Sequence, residues 1–173
     1  IKALDSLSQA VAIDPLDGKA LAYRGKANSE LGRNERAFED LDKAIRISPK
    51  DAYTFYLRGS VYYSSGQHQQ ALQDLDQAIR LTPEEPRLFV RRGDVRGALG
   101  RMTDAVEDYG KAVQLRSGLV RTTSIVPLGD LDEAITLDPL NPGLYAERGL
   151  AYYNLGEYQK VIADFDQVIN LEP

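Results

Sequence analysis

The chain has 173 residues, 43% of them hydrophobic and 27% charged, with a net charge of −5. That balance fits a globular chain rather than a disordered one, and the acidic sign argues against nucleic acid, whose binders present a basic face. With no cysteine, a disulfide framework, a thiolate zinc site and a cysteine nucleophile are excluded. No apolar run approaches the ~18 residues that a membrane-spanning helix needs. The compartment stays open between cytosol and periplasm, with the cytoplasm slightly favoured. The sequence starts at Ile1 with no signal-like apolar stretch, and its first residues read as the middle of a helix. It is expected to be a piece of a longer protein.

In chain order, one phrase recurs. LSQAVAIDP (7–15) is followed by LDKAIRISP (41–49), LDQAIRLTP (75–83), YGKAVQLRS (109–117), LDEAITLDP (131–139) and FDQVINLEP (165–173). The phrases end at 15, 49, 83, 117, 139 and 173, in steps of 34, 34, 34, 22 and 34. A second phrase precedes most copies: YRGKANSELG (23–32), LRGSVYYSSG (57–66), RRGDVRGALG (91–100) and ERGLAYYNLG (147–156). Each unit therefore holds two segments. The first closes at Gly32, Gly66, Gly100 or Gly156, where glycine suits the left-handed residue just past a helix. The second closes at or near a proline, which cannot continue a helix. Asp17, Asp51 and Asn141 are plausible N-caps, and Pro86 and Pro142 suit a first turn. Apolar spacings of three and four, as in Ala37, Leu41, Ala44 and Ile45, predict helices in both segments. The unit is helix–turn–helix.

Between Ser117 and Pro139 the period fails. A second helix is expected over 128–137, after Pro127. The preceding GLVRTTSIV (118–126) has no Arg–Gly phrase, no tyrosine and no closing glycine, and is rich in β-branched residues. Three accounts compete. The unit has lost its first helix, or a stretch is absent and two ends are joined, or 117–130 is a functional insert. The second is preferred because the phase afterwards is intact.

No catalytic constellation is present. The single histidine, His68, sits in the turn QHQQ and is read as an exposed turn residue, since a lone histidine makes neither a metal site nor a triad. No glycine-rich phosphate loop ends in Lys–Ser/Thr. Neither enzymatic activity nor a cofactor or metal is expected. The recurring Arg24, Arg58, Arg92 and Arg148, each just before a helix glycine, and the recurring Asp40, Asp74, Asp108, Asp130 and Asp164 are read as pairs holding the two helices together.

These phrases resemble the tetratricopeptide repeat (TPR) family. The resemblance rests on the mid-helix Gly25, Gly59, Gly93 and Gly149, on Tyr62 and Tyr152 three residues later, and on Ala37, Ala71 and Ala105 opening the second helix. It rests also on Leu41, Leu75, Tyr109 and Phe165, on Ala44, Ala78, Ala112 and Ala134, and on the closing prolines. Asn28 and Arg96 depart at the aromatic place, and Val161 and Val168 at the small ones. The resemblance implies an all-α fold, a TPR-type α-solenoid of antiparallel helix pairs in a right-handed superhelix. Its expected units are 1–16 (second helix only), 17–50, 51–84, 85–118, 119–140 (degenerate or truncated) and 141–173. Glycine costs roughly 1 kcal/mol inside a helix relative to alanine, so four of them there imply close helix approach.

The resemblance also implies a concave groove lined by first helices. It places Lys19, Ala22, Tyr23, Lys26 and Ser29 there, then Tyr53, Tyr56, Leu57, Ser60 and Tyr63. Further on it places Arg87, Val90, Arg91 and Asp94, and finally Ala146, Glu147, Leu150, Tyr153 and Asn154. Lys19, Tyr23, Lys26, Tyr53, Tyr56, Tyr63, Arg87, Arg91 and Tyr153 are the candidate peptide-binding residues, since tyrosine and arginine dominate binding hot spots. Arg87 and Arg91 match the basic members of a family clamp for a peptide's terminal carboxylate. Ala22 and Leu57 stand where that clamp has a lysine and an asparagine, so an acidic or aromatic-containing peptide is the broader expectation. The implied function is a protein–protein interaction scaffold with a protein or peptide partner. Two alternatives are a substrate-recruiting or regulatory region of a larger enzyme, and an array that self-assembles into a homo-oligomer through uncapped ends.

Overall fold

The computed structural model describes residues 2–117 and 127–171. Among the described residues there are ten helices and no strand. They are α1 (Lys2–Ile13), α2 (Gly18–Glu30), α3 (Asn34–Ile47), α4 (Ala52–Ser64), α5 (His68–Leu81), α6 (Pro86–Ala98), α7 (Met102–Ser117), α8 (Leu128–Leu137), α9 (Pro142–Asn154) and α10 (Tyr158–Leu171). Among the described residues no helix is long and apolar enough to cross a membrane.

Helix ends follow from local chemistry. Asp17 accepts hydrogen bonds from the Lys19 and Ala20 amides at 2.9 and 3.0 Å. Asp51 takes the Tyr53 amide and Asn141 the Gly143 amide. Each cap satisfies donors that a helix start leaves unpaired. Pro86 and Pro142 occupy the first turns of α6 and α9. The first helices stop at Gly32, Gly66, Gly100 and Gly156, with φ of 72 to 75°, a left-handed conformation that glycine adopts without steric cost.

The chain forms two compact units, Ile1–Glu84 and Glu85–Pro173. In the first, α2 pairs with α3 and α4 with α5, while α1 packs on α2 and α3 on α4. The core holds Leu21, Ala37, Leu41 and Ala44 with Leu57 and Val61. In the second, α6 pairs with α7 and α9 with α10, α7 also packs on α10, and α8 packs on α9. Its core joins Ala105, Val106, Tyr109 and Val113 to Ala146, Val161, Phe165 and Val168. Helix α8 thus takes against α9 the place that α3 takes against α4, burying Leu131 and Ile135. The expected second helix over 128–137 is present. The competing accounts of the break rest on 118–126, which lie outside the described residues.

Helices α1 and α8 share one more property. Each is a second-type helix with no first helix before it among the described residues. Each ends in the same pattern, Ile13-Asp14-Pro15-Leu16 and Leu137-Asp138-Pro139-Leu140. Ile13 and Leu137 are 87% and 80% exposed. At the equivalent places in complete pairs, Ile47 and Leu81 are half-buried.

The mid-helix glycines do mark close approach. A Cβ at Gly25 would lie 2.8 Å from Leu41 Cγ, at Gly93 2.9 Å from Tyr109 Cε1, and at Gly149 2.8 Å from Phe165 Cε1. Gly97 differs, because a Cβ there meets nothing within 4 Å. Two opposite results are therefore expected in thermal melts. Gly97→Ala raises stability by about 0.5–1 kcal/mol through helix propensity alone. Gly25→Ala gains the same propensity, but overpacking against the fully buried Leu41 costs about 1–3 kcal/mol and lowers the melting temperature.

Candidate functional site

The recurring arginines come first, because they orient everything else on the first helices. Each pairs with the aspartate 16 residues on. Arg24 Nε and Nη2 donate to Asp40 at 2.9 and 2.6 Å, and Arg58 to Asp74 at 2.8 and 2.8 Å. Arg92 donates to Asp108 at 2.9 and 2.7 Å, and Arg148 to Asp164 at 3.0 and 2.7 Å. These are two-pronged, charge-assisted bonds, and all four aspartates are buried. Their paired geometry bears out a helix-holding role.

The sequence reading missed a second set of partners. Arg58 Nη1 also donates to Asp42 on α3 at 2.6 Å, and Arg148 Nη1 to Asp132 on α8 at 2.7 Å. Each of these arginines thus bridges three helices, with carboxylates 16 residues to either side. Their guanidinium pKa values are raised, chiefly through the hydrogen bonds they donate to Asp74 and Asp164, against the opposing cost of burial. The signal was the doublet Asp-x-Asp on the second helix, as in Asp40-Leu41-Asp42 and Asp130-Leu131-Asp132. Of this last doublet, Asp132 rather than Asp130 meets an arginine: Asp130 lies exposed in the first turn of α8, where the described residues place no first helix before it.

The two departures at the aromatic place have the same explanation. Tyr62 and Tyr152 lie beneath the guanidinium groups of Arg58 and Arg148, with centroids 5.9 and 5.8 Å away. Asn28 instead donates to Asp40 at 3.3 Å, and Arg96 pairs with Asp108 at 2.8 Å. Ring or polar group, the position serves the same ion pair.

The candidate binding residues fall into two groups, one in each unit. In the first, Lys19, Tyr23 and Lys26 share one face of α2, and Tyr53, Tyr56 and Tyr63 share one face of α4 at helical spacing. The rings of Tyr23 and Tyr53 are 6.1 Å apart, and those of Tyr53 and Tyr56 are 6.0 Å apart and stacked. Tyr23 is 49% exposed. Tyr53 and Tyr56 rest partly on the core below them. Lys19 is exposed, and Lys26 lies 3.8 Å from Glu30 on the same helix. Tyr63 leans on His68, 5.5 Å between centroids. His68 opens α5 and is half-buried, which corrects its expected place as an exposed turn residue.

In the second unit, Arg87 meets the capping Glu85 at 2.9 Å, and Arg91 meets Asp94 at 3.1 Å. Asp94 also accepts from the Tyr109 hydroxyl at 2.8 Å. Burial raises the Asp94 carboxyl above the ordinary aspartate range, against the opposing pull of Tyr109 and Arg91. Both arginine charges thus face a carboxylate of their own neighbourhood. Tyr153 on α9 packs edge-on against Tyr158, 6.0 Å away, beside the core. Three residues expected along the groove do not line it: Ala22, Leu57 and Ala146 are buried, at 2%, 5% and 5% exposure. They sit on the helix face turned inward, and the wall of each helix is narrower than expected. Among the described residues no group of three or more histidines, aspartates and glutamates is placed to hold a metal ion.

Paired helices, glycines at the crossing points and a repeated arginine bridge define a helical-repeat protein. The chain belongs to the tetratricopeptide repeat family. Family descriptions for the TPR repeat match residues 25–66 and 59–100, and for the tetratricopeptide repeat residues 86–118 and 142–173. A comparison with curated protein sequences finds no match. Among solved structures, the chain is similar to MamA (residues 41 to the end) from Desulfovibrio magneticus, with 21% identity and a TM-score of 0.65 over 99% of this chain and 84% of that one. It is similar to YrrB, described as a TPR protein with an unusual peptide-binding site, with 20% identity and a TM-score of 0.58 over 98% and 94%. The first TPR of Spaghetti (RPAP3), bound to the HSP90 peptide SRMEEVD, matches 59% of this chain and 81% of its own at 22% identity and a TM-score of 0.56.

Proposed function

We propose that this chain is a protein–protein interaction scaffold, without catalysis of its own, whose first-unit face of Lys19, Tyr23, Lys26, Tyr53, Tyr56 and Tyr63 binds an extended peptide. The run of three tyrosine rings at about 6 Å spacing carries the reading. Rings held partly in the core lose little freedom on binding and offer large amphipathic area. Flanking lysines add a preference for acidic residues, and the rings a preference for aromatic or aliphatic ones. Two similar structures are described as peptide-binding, which supports the class of ligand. In the second unit, Arg87, Arg91 and Tyr153 contribute less, because neighbouring carboxylates offset the two charges.

The test is selection from a random peptide library, followed by affinity measurement on the selected sequences. Tyr23→Ala combined with Lys26→Glu changes two exposed side chains and leaves the buried core alone. An affinity loss on the order of 30-fold, the 2 kcal/mol of a hot spot, is expected with unchanged helicity. Equal affinity in the variant would sink the assignment of this face.

A further inference from the structure

The arginine bridge is incomplete at one interface. Arg58 and Arg148 each hold two carboxylates, one 16 residues on and one 16 residues back. For Arg24 the residue 16 places on is Asp40, and the residue 16 places back is Ser8 on α1. Asp40 is the one acid that raises the Arg24 pKa. A serine is too short and carries no charge. A cavity of about 220 Å³ opens beside Arg24 and Ser8. Leu4 and Ser8 of α1, Arg24 and Asn28 of α2, and Arg36, Glu39 and Asp40 of α3 line it.

We propose that this cavity between α1, α2 and α3 is a binding site for a carboxylate, which completes the Arg24 bridge in the place that Asp42 and Asp132 occupy elsewhere. Arg24 brings the free edge of a guanidinium whose other edge is fixed on Asp40, so a bound carboxylate meets a donor already oriented. The Ser8 hydroxyl supplies a second donor, and Arg36 a second positive charge. Arg24 and Arg36 against Asp40 and Glu39 leave the lining neutral in sum. Arg58 and Arg148 nonetheless hold a second carboxylate when one is already paired, and such a site takes a single negative charge more readily than the two of a phosphate. None of the proposed peptide-face residues takes part, so the two sites are independent.

The carboxylate has two sources, a small free acid or an acidic side chain of another polypeptide. The chain is titrated with sodium acetate at constant ionic strength, balanced with chloride, while the Arg24 Nε–H signal is followed by ¹⁵N NMR. The same titration uses the blocked tripeptides acetyl-Gly-Asp-Gly-amide and acetyl-Gly-Asn-Gly-amide. A saturable shift at Arg24 with acetate or with the Asp peptide, and none with the Asn peptide, is expected. Response to acetate alone identifies a free acid, and a stronger response to the Asp peptide identifies a side chain. Ser8→Asp supplies the absent carboxylate from α1 itself. It should abolish the shift and raise the melting temperature in chloride buffer. Arg36→Gln, an exposed change that leaves the Arg24–Asp40 pair intact, should weaken the response. No saturable shift in the unmodified chain, or the same shift in Ser8→Asp, overturns the proposal.

Discussion

Phe165→Ala is expected to remove about 4 kcal/mol of stability, toward the upper end of the range for deleting a buried aromatic ring. The ring is 2% exposed at the junction of three helices. It lies on α10, its Cε1 faces the missing Cβ of Gly149 on α9, and its Cε2 faces that of Gly110 on α7. The ring thus meets a glycine on each of two neighbouring helices. Neither has a side chain that can swing into the space left behind, so the cavity persists rather than collapsing. Leu at the same position keeps most of the volume and costs less, about 1.5 kcal/mol or under for a volume-conserving apolar swap. Urea unfolding followed by circular dichroism measures both. A loss below about 1 kcal/mol for the alanine variant would mean that the site repacks, and would contradict the glycine-walled geometry.

The second large effect concerns the three-helix bridge. Asp74→Leu is expected to cost about 3 kcal/mol, the low end for breaking a buried ion pair. The low end applies because the Arg58 side chain keeps 21% of its exposure and still holds Asp42. The loss comes less from the missing attraction than from a guanidinium left half-buried with an unmet edge. That distinction is measurable. Adding Arg58→Met to Asp74→Leu removes the stranded charge and should recover most of the loss, since apolar replacement of both partners is often near neutral. The partner left over, Asp42, is 42% exposed and returns to water cheaply. A double variant no more stable than Asp74→Leu alone would show that the loss is the missing attraction and not the stranded charge.

Much of the fold was legible because local chemistry and period agree. The closing glycines, the Asp17, Asp51 and Asn141 caps, the mid-helix glycines and the first arginine–aspartate set follow from spacing alone. The second carboxylate of each bridge was in plain sight at Asp42 and Asp132. It was passed over because a residue two places from a buried aspartate reads as a solvated face, and only the neighbouring helix turns it into a ligand for arginine. The binding face was less legible for a related reason. Helical spacing places Tyr23 and Ala22 one residue apart, about 100° around the axis, and the packing of α2 between its neighbours decides which points outward. The charge of Arg87 and Arg91 was likewise visible, but its offset by Glu85 and Asp94 depends on rotamers that spacing does not fix.

The three-helix bridge bears on where such a chain can be cut and rejoined. The self-sufficient block is not the helix pair but the second helix, the following first helix and the next second helix together, as in Asp42 through Asp74 with Arg58 between. Recombination that joins modules at the turn before a first helix keeps each arginine with one of its acids and swaps the other. A graft therefore carries its neighbour's requirement with it: the incoming module must be preceded by a second helix bearing aspartate 16 residues before the arginine. Asp108-Tyr109-Gly110 on α7 does not meet that requirement, because glycine stands in the second place of the doublet. The helix that ends where the period fails thus shares with α1, where Ser8 stands, a joint that lacks the second acid.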